Sequence, residues 1–217
     1  MHISPIQVQI ANSFWHGAVS PRAKIYRSDA EHFNAFQHAQ NLTEYDLKRF
    51  IWFARISRTK LSTGGYSIKY CFSDGLANWL PILRTAIQTG RAAQTEAHAV
   101  RAVDELAKAR PPTAWKVLGV SAASKLMFFG VPNWPIFIFD RFSGLAVGLQ
   151  KPASYSIWHR AVSARYRALH GLPAALRSRI PPQPPFDWFQ RRCFDIALFT
   201  EGRKLEEARR HQSKKRQ

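Results

Sequence analysis

Between Lys108 and Pro185 the chain carries eleven lysines and arginines and a single acidic residue, Asp140. A lone carboxylate in so basic a stretch opposes the anions that the stretch attracts, and so needs a reason. It follows Trp134-Pro135-Ile136-Phe137-Ile138-Phe139, an apolar run expected to anchor it beside a core. A carboxylate held there can orient a water molecule or stabilise positive charge developing in a transition state. It can equally cap a helix beginning at Arg141, because aspartate is a favoured N-cap residue. The two roles are compatible. A second candidate is Leu118-Gly119-Val120-Ser121, a turn between two short helices. Such a turn exposes consecutive backbone N–H groups at a helix N-terminus, which suit a phosphate. Lys116, Arg141 and Lys151 are the cations placed to join them on a phosphodiester backbone.

The elements that must position these residues are mostly helices. Thr43-Glu44-Tyr45-Asp46 has capping-box spacing and opens a stretch with Leu47, Phe50, Ile51 and Ala54 on one side. Leu61 to Gly65 breaks the pattern, and residues 66–72 alternate weakly, as a short extended piece would. Ser73-Asp74 can cap a helix over 75–88, kinked or broken in its first turn by Pro81. Residues 94–109 read as helical, stopped by Pro111-Pro112, and two short helices follow over 113–118 and 121–129. Asp140 then opens a helix to Leu149. Residues 154–169 are amphipathic, with Ile157, Ala161, Ala164 and Leu169 expected to face inward. After the rigid break at 181–185, residues 186–208 fit one long helix. From Arg203 to Gln217 there are seven Lys and Arg against two Glu, which reads as a solvated or disordered basic tail. The expected class is mostly α, in three parts: a helical 1–90, a region 91–205 that holds the candidate chemistry, and a tail over 206–217.

Composition narrows the partner. The 217 residues include 32 Lys and Arg against 14 Asp and Glu, a formal charge of +18. With 46% hydrophobic and 13% aromatic residues the chain has the means to build a core, so the charge belongs to a folded protein. Such a charge favours a polyanionic partner, nucleic acid first and an anionic membrane surface second. No apolar run is long enough to span a bilayer and residues 1–20 hold no leader-like core, so a cytoplasmic location is expected. Cys71 and Cys193 stand alone and His32 and His38 lack metal spacing, so neither a metal nor a cofactor is expected. Cys193 reads as a buried thiol. Most of the Trp and Phe residues belong to the core, with Trp134, Phe142 and Trp188 the candidates for lining a pocket.

Residues 114–146 resemble the helix-hairpin-helix DNA glycosylase superfamily. Its motif is a hairpin with a Gly-hydrophobic-Gly turn, a second helix, a Pro-containing loop and a catalytic Asp at the start of the next helix. Gly119-Val120-Ser121 stands for the turn, 121–129 for the second helix and Phe137-Ile138-Phe139-Asp140 for the aspartate segment. Ser121-Ala122-Ala123-Ser124-Lys125-Leu126, followed by Pro135-Ile136-Phe137 and Asp140, is similar to the compact 8-oxoguanine-glycosylase-fold proteins of bacteria. Trp188-Phe189-Gln190-Arg191-Arg192-Cys193-Phe194 is similar to the helix that gives 8-oxoguanine glycosylases a Gln for the base edge and a Phe to stack on it. Gln190 and Phe194 lie one helical turn apart, so both can face one pocket. The likeness covers about residues 90–205. Three departures stand beside it. Ser121 replaces the second turn glycine. Ala123 occupies the place of the Schiff-base lysine of bifunctional members, with Lys125 two residues on and about 200° around the helix. The four-cysteine cluster of some relatives is absent.

The resemblance implies a multi-helix glycosylase-like fold and an N-glycosylase that flips a damaged or modified base, 8-oxoguanine favoured, out of double-stranded DNA. In that reading Asp140 stabilises the oxocarbenium-like sugar and helps activate water, while Gly119, Val120 and Ser121 clamp a phosphate. Gln190, Phe194, Met127, Phe142 and Trp134 surround the base. Lys125 is either a phosphate contact or the nucleophile of a lyase step. The context is base excision repair or antiphage defence, where a modified phage base, RNA or a nucleotide would be the target. Two other classes remain open: a non-catalytic DNA- or RNA-binding module in which Asp140 is only a cap, and a basic protein at anionic membranes. A monomer is expected, with the oligomeric state left open by the sequence.

Overall fold

The structure, a computed structural model, describes residues 3–17, 28–54, 56, 58–60, 66–68, 75–112, 114, 117–169 and 185–214. The expected breaker at 61–65, the cap at Ser73-Asp74, most of the 181–185 break, Cys71 and Lys116 lie outside them. In chain order the helices are α1 (Pro5–His16), α2 (Asp29–Gln37), α3 (Glu44–Phe53), α4 (Trp79–Arg91), α5 (Glu96–Lys108), α6 (Val120–Gly130), α7 (Arg141–Ala146), α8 (Tyr155–Arg167) and α9 (Phe186–Lys214). Two three-residue strands, Arg58–Lys60 and Tyr66–Ile68, pair antiparallel with Thr59 opposite Ser67. Residues 66–68 of the expected extended piece are therefore a strand. Among the described residues no helix is long and apolar enough to cross a membrane.

Local chemistry sets most boundaries. The Thr43 side chain accepts from the Asp46 N–H while the Asp46 carboxylate accepts from the Thr43 N–H, so α3 opens with the expected capping box. Ser28 and Glu31 build the same device at α2. At α4 a 3-10 turn over Leu76–Asn78 precedes Trp79, which leaves Pro81 as the third helical residue. An N–H at that position has no intrahelical acceptor, so proline removes nothing and α4 continues unbroken to Arg91.

The chain divides into two compact units, residues 14–136 and residues 1–13 with 137–217. This differs from the boundary read near residue 90, because α4, α5 and α6 belong with the preceding helices. In the 14–136 unit, Phe36 and Phe50 meet at 4.7 Å, and Phe50 meets Phe129 edge-on at 5.0 Å. Leu83, Ile87, Val103 and Leu106 of α4 and α5 are buried as well. Each such side chain contributes about 1.5–3 kcal/mol by leaving water.

In the other unit, Tyr155, Trp158, Trp188, Phe189 and Phe194 are fully buried. Two expectations are corrected here. The inward face of α8 is Tyr155, Trp158, His159 and Val162, whereas Ile157 is 47% exposed. The large rings at 155 and 158 decide the rotation of the helix. The expected tail is helical to Lys214, six residues beyond Ala208. Glu206 receives Arg210 and Glu207 receives Arg203 at i,i+4 spacing, pairs that support an exposed helix by tenths of a kcal/mol each.

Candidate functional site

Asp140 ends an extended run whose preceding residues, Ile136 to Phe139, are buried. Among the described residues no strand pairs with that run. Instead the Tyr155 hydroxyl donates to the Phe137 carbonyl and accepts from the Phe137 N–H, both at 2.9 Å. One side chain thus does what a neighbouring strand would do, and fixes the backbone three residues before Asp140. Tyr155→Phe leaves a buried N–H and a buried C=O without that partner. It is expected to cost about 1–3 kcal/mol, read as a lower urea midpoint with an unchanged slope. An unchanged midpoint would show that the hydroxyl holds nothing.

Asp140 itself is half-buried and extended, with φ −140° and ψ 177°. Its Oδ1 accepts from the N–H groups of Phe142 and Ser143, both at 2.7 Å. Its own N–H donates to the Ser143 Oγ at 2.8 Å, completing a capping box at α7. The expected capping role is therefore realised through one oxygen. The other, Oδ2, accepts no hydrogen bond from the described residues.

Gln190 and Phe194 do share a face of α9, and what they face is Tyr166. The Gln190 Nε2 donates to the Tyr166 hydroxyl at 3.1 Å. Phe194 meets the Tyr166 ring edge-on at 5.1 Å and the Phe137 ring at 5.7 Å. Burial pushes the Tyr166 hydroxyl above its ordinary pKa, so it stays protonated. Phe194 and Trp188 are therefore core residues rather than an open stacking platform. Phe142 is half-buried with its ring edge-on to Phe199 at 5.0 Å. Arg141 is exposed and pairs with Glu206. Burial pushes the Cys193 thiol up to about 12, so at neutral pH it is no nucleophile, as expected. Burial also lowers the pKa of Arg191.

In the 14–136 unit, Gly119 is the N-cap of α6 with φ +84°, a conformation that glycine adopts without strain. The expected phosphate clamp is altered in two ways. The Gly119 N–H already donates to the Ala107 carbonyl at 2.8 Å, and Leu118 donates to Ala109 at 3.2 Å. Val120 and Ser121 remain as half-exposed first-turn residues with no side-chain cap. The expected first hairpin helix over 113–118 also differs, because its described residues, Ala114, Val117 and Leu118, are not helical. Leu118 and Gly119 are instead tied back to the end of α5.

Lys125 donates its Nζ to the Ala54 carbonyl at 2.9 Å, at the C-terminus of α3 where a cation complements the helix dipole. Met127 is fully buried, which makes it core rather than pocket lining. Trp134 is half-buried in the loop before Asp140. A shallow groove beside α4 and α5, lined by Pro81, Ile82, Ala86 and Leu106 among others, contains none of the expected site residues. The described residues hold no group of three His, Cys, Asp or Glu suited to a metal.

Asp140, Arg141, Phe142, Gln190 and Phe194 thus belong to one unit, and Gly119, Val120, Ser121, Lys125, Met127 and Trp134 to the other. Sequence reasoning missed Tyr155, Tyr166 and Glu206, which engage Phe137, Gln190 and Arg141. Comparison with known protein families, with curated proteins and with solved structures gave no match to this chain.

Proposed function

We propose that this protein acts on nucleic acid as an N-glycosylase that releases a damaged or modified base, with 8-oxoguanine in duplex DNA the favoured substrate. The observation that carries the reading is Asp140: the single acidic residue between Lys108 and Pro185, fixed through Oδ1 and with Oδ2 uncommitted among the described residues. The resemblance of residues 114–146 to the glycosylase superfamily adds the reaction. The C1′–N bond breaks with its electron pair leaving on the base, water adds at C1′, and a proton passes to the departing base. Oδ2 stabilises the cationic sugar and orients the water. Base flipping is helped wherever the target is already poorly stacked or paired.

Asp140→Asn tests this cleanly, because asparagine caps a helix as well as aspartate does. The expected result is a wild-type melting temperature and wild-type affinity for duplex, with base release slowed about 10²-fold or more. The assay is release from duplexes bearing 8-oxoguanine, uracil, alkylated bases or hydroxymethylated cytosine, read with and without alkali. Nicking without alkali would assign a lyase step to Lys125. Release by Asp140→Asn at the wild-type rate would overturn the catalytic role.

A second reading, a nucleic-acid-binding module without chemistry, is favoured by the burial of Phe194 and Met127 and by the Gln190–Tyr166 hydrogen bond. Its signature is tight binding with no base released from any duplex of the panel.

A further inference from the structure

The distal part of α9 is a folded element that the glycosylase reading does not use. Beyond Gly202 nearly every residue to Ser213 is exposed, Glu206 excepted. A helix with no buried face gains nothing from a core there, so its composition answers to something else. Residues 203–214 span about 17 Å of helix at about 1.5 Å per residue. They include Arg203, Lys204, Arg209, Arg210 and Lys214 against Glu206 and Glu207.

The acidic residues do not offset these cations evenly. Glu206 is held by both Arg141 and Arg210, and Glu207 by Arg203. Lys204 and Arg209 make no ion pair with the described residues and are exposed. At about 100° per residue, Arg203 and Arg210 share one side, Lys204 lies next to it, and Arg209 lies on another. The segment therefore shows positive charge around most of its circumference. Leu205 and Ala208 are its only apolar side chains, too few for the apolar face by which an amphipathic helix enters a membrane. A polyanion with charge spaced along a line matches it, and a duplex carries one phosphate charge per about 1.7 Å of axis.

We propose that residues 203–214 of α9 form a phosphate-contacting arm that lies against the backbone of duplex nucleic acid, through Lys204, Arg209 and Arg210. This rests on the nucleic-acid part of the proposed function and not on base release. The test uses the full chain carrying Lys204→Gln, Arg209→Gln and Arg210→Gln together, since glutamine keeps a high helix propensity. A control chain carries Lys48→Gln, Arg101→Gln and Lys108→Gln, exposed cations of α3 and α5. Circular dichroism confirms that both variants stay helical.

Binding of a labelled undamaged duplex is measured across a salt series. The arm variant is expected to lose about 2 to 3 from the slope of log K against log salt, and at least about tenfold in affinity at 0.1 M salt. The control keeps its slope to within about 1. Equal losses in both variants would assign the effect to net charge and overturn the arm. So would a wild-type slope in the arm variant, or dependence on these cations seen only with phosphatidylglycerol vesicles. If the wild type binds no duplex, the nucleic-acid reading falls as well. If it binds and the arm variant matches it, only the arm falls.

Discussion

Gly202→Ala is expected to unseat α9 from α7 and lower the melting temperature by about 6–12 °C. In an exposed helix this substitution gains about 1 kcal/mol, because alanine is the better helix former. Here the sign reverses. A Cβ at position 202 would overlap the carbonyl oxygen of Phe142, and the Phe142 Cα lies 2.9 Å from the same point. These are backbone atoms, which cannot swing aside as the tip of a side chain can. Overpacking of this kind costs about 3 kcal/mol or more, and 1 kcal/mol corresponds to about 2–4 °C in a chain of this size.

The damage would reach the candidate site. The Phe142 N–H is one of the two donors on Asp140 Oδ1, so on the proposed glycosylase reading base release should fall together with stability. That separates Gly202→Ala from Asp140→Asn, which is expected to lose activity alone. Arg203→Ala, one residue on and exposed, is the control and should melt within about 1 °C of wild type. A Gly202→Ala protein as stable as wild type would mean that α9 does not cross α7 at this residue.

Arg91→Met is expected to cost about 3–5 kcal/mol, assessed against measured values for hydrogen bonds to charged groups. The guanidinium donates its Nε to the Gly130 carbonyl at 2.7 Å, one terminal nitrogen to Gln37 at 2.9 Å and the other to Phe36 at 2.7 Å. Gly130 ends α6 and Gln37 ends α2. The last carbonyls of a helix lack intrahelical donors and carry the negative end of its dipole. One planar cation at the end of α4 therefore fastens the ends of two other helices. Burial lowers the pKa of Arg91, but an arginine begins so high that the group stays charged.

Methionine keeps the stem and removes every donor. Lysine keeps the charge but presents it as a point and not as a fork. Urea denaturation should therefore place Arg91→Lys between Arg91→Met and wild type. If lysine restored the full stability, charge alone would suffice and the fork geometry would be irrelevant.

Legibility in the sequence was greatest for local features. The Thr43–Asp46 box and the Asp140 cap close within three residues, so their partners are visible in the order of residues alone. Ser28 and Glu31 have that same spacing, yet sequence reasoning missed the helix they open. The rotation of α8 escaped because Ile157 and Ala161 satisfy helical periodicity as well as Tyr155 and Trp158 do. The large rings at 155 and 158 settle it by packing against segments outside 154–169, such as the Phe137 backbone eighteen residues away. The connection over 109–119 reads as a tight hairpin because Pro111-Pro112 stop α5 without dictating the conformation of the next segment. At Gln190 and Phe194 the shared face was legible from their spacing. That Tyr166 already fills it was not, because Tyr166 comes from another helix. Gly202 gave no signal at all, since the backbone that needs it arrives from position 142.

The division of the chain has a consequence for how the protein is made. The unit over 14–136 is drawn from one unbroken stretch, while the other combines residues 1–13 with 137–217. Ribosomes add about 5–20 residues each second. The unit over 14–136 can therefore finish folding while Ile3, Val8 and Ala11, buried in the folded structure, still await the segments over 137–217 with which they are grouped. Val8 and Ala11 of α1, with Ile3 just before it, belong to a unit that cannot close until the stretch over 137–217 has been made, some seconds later.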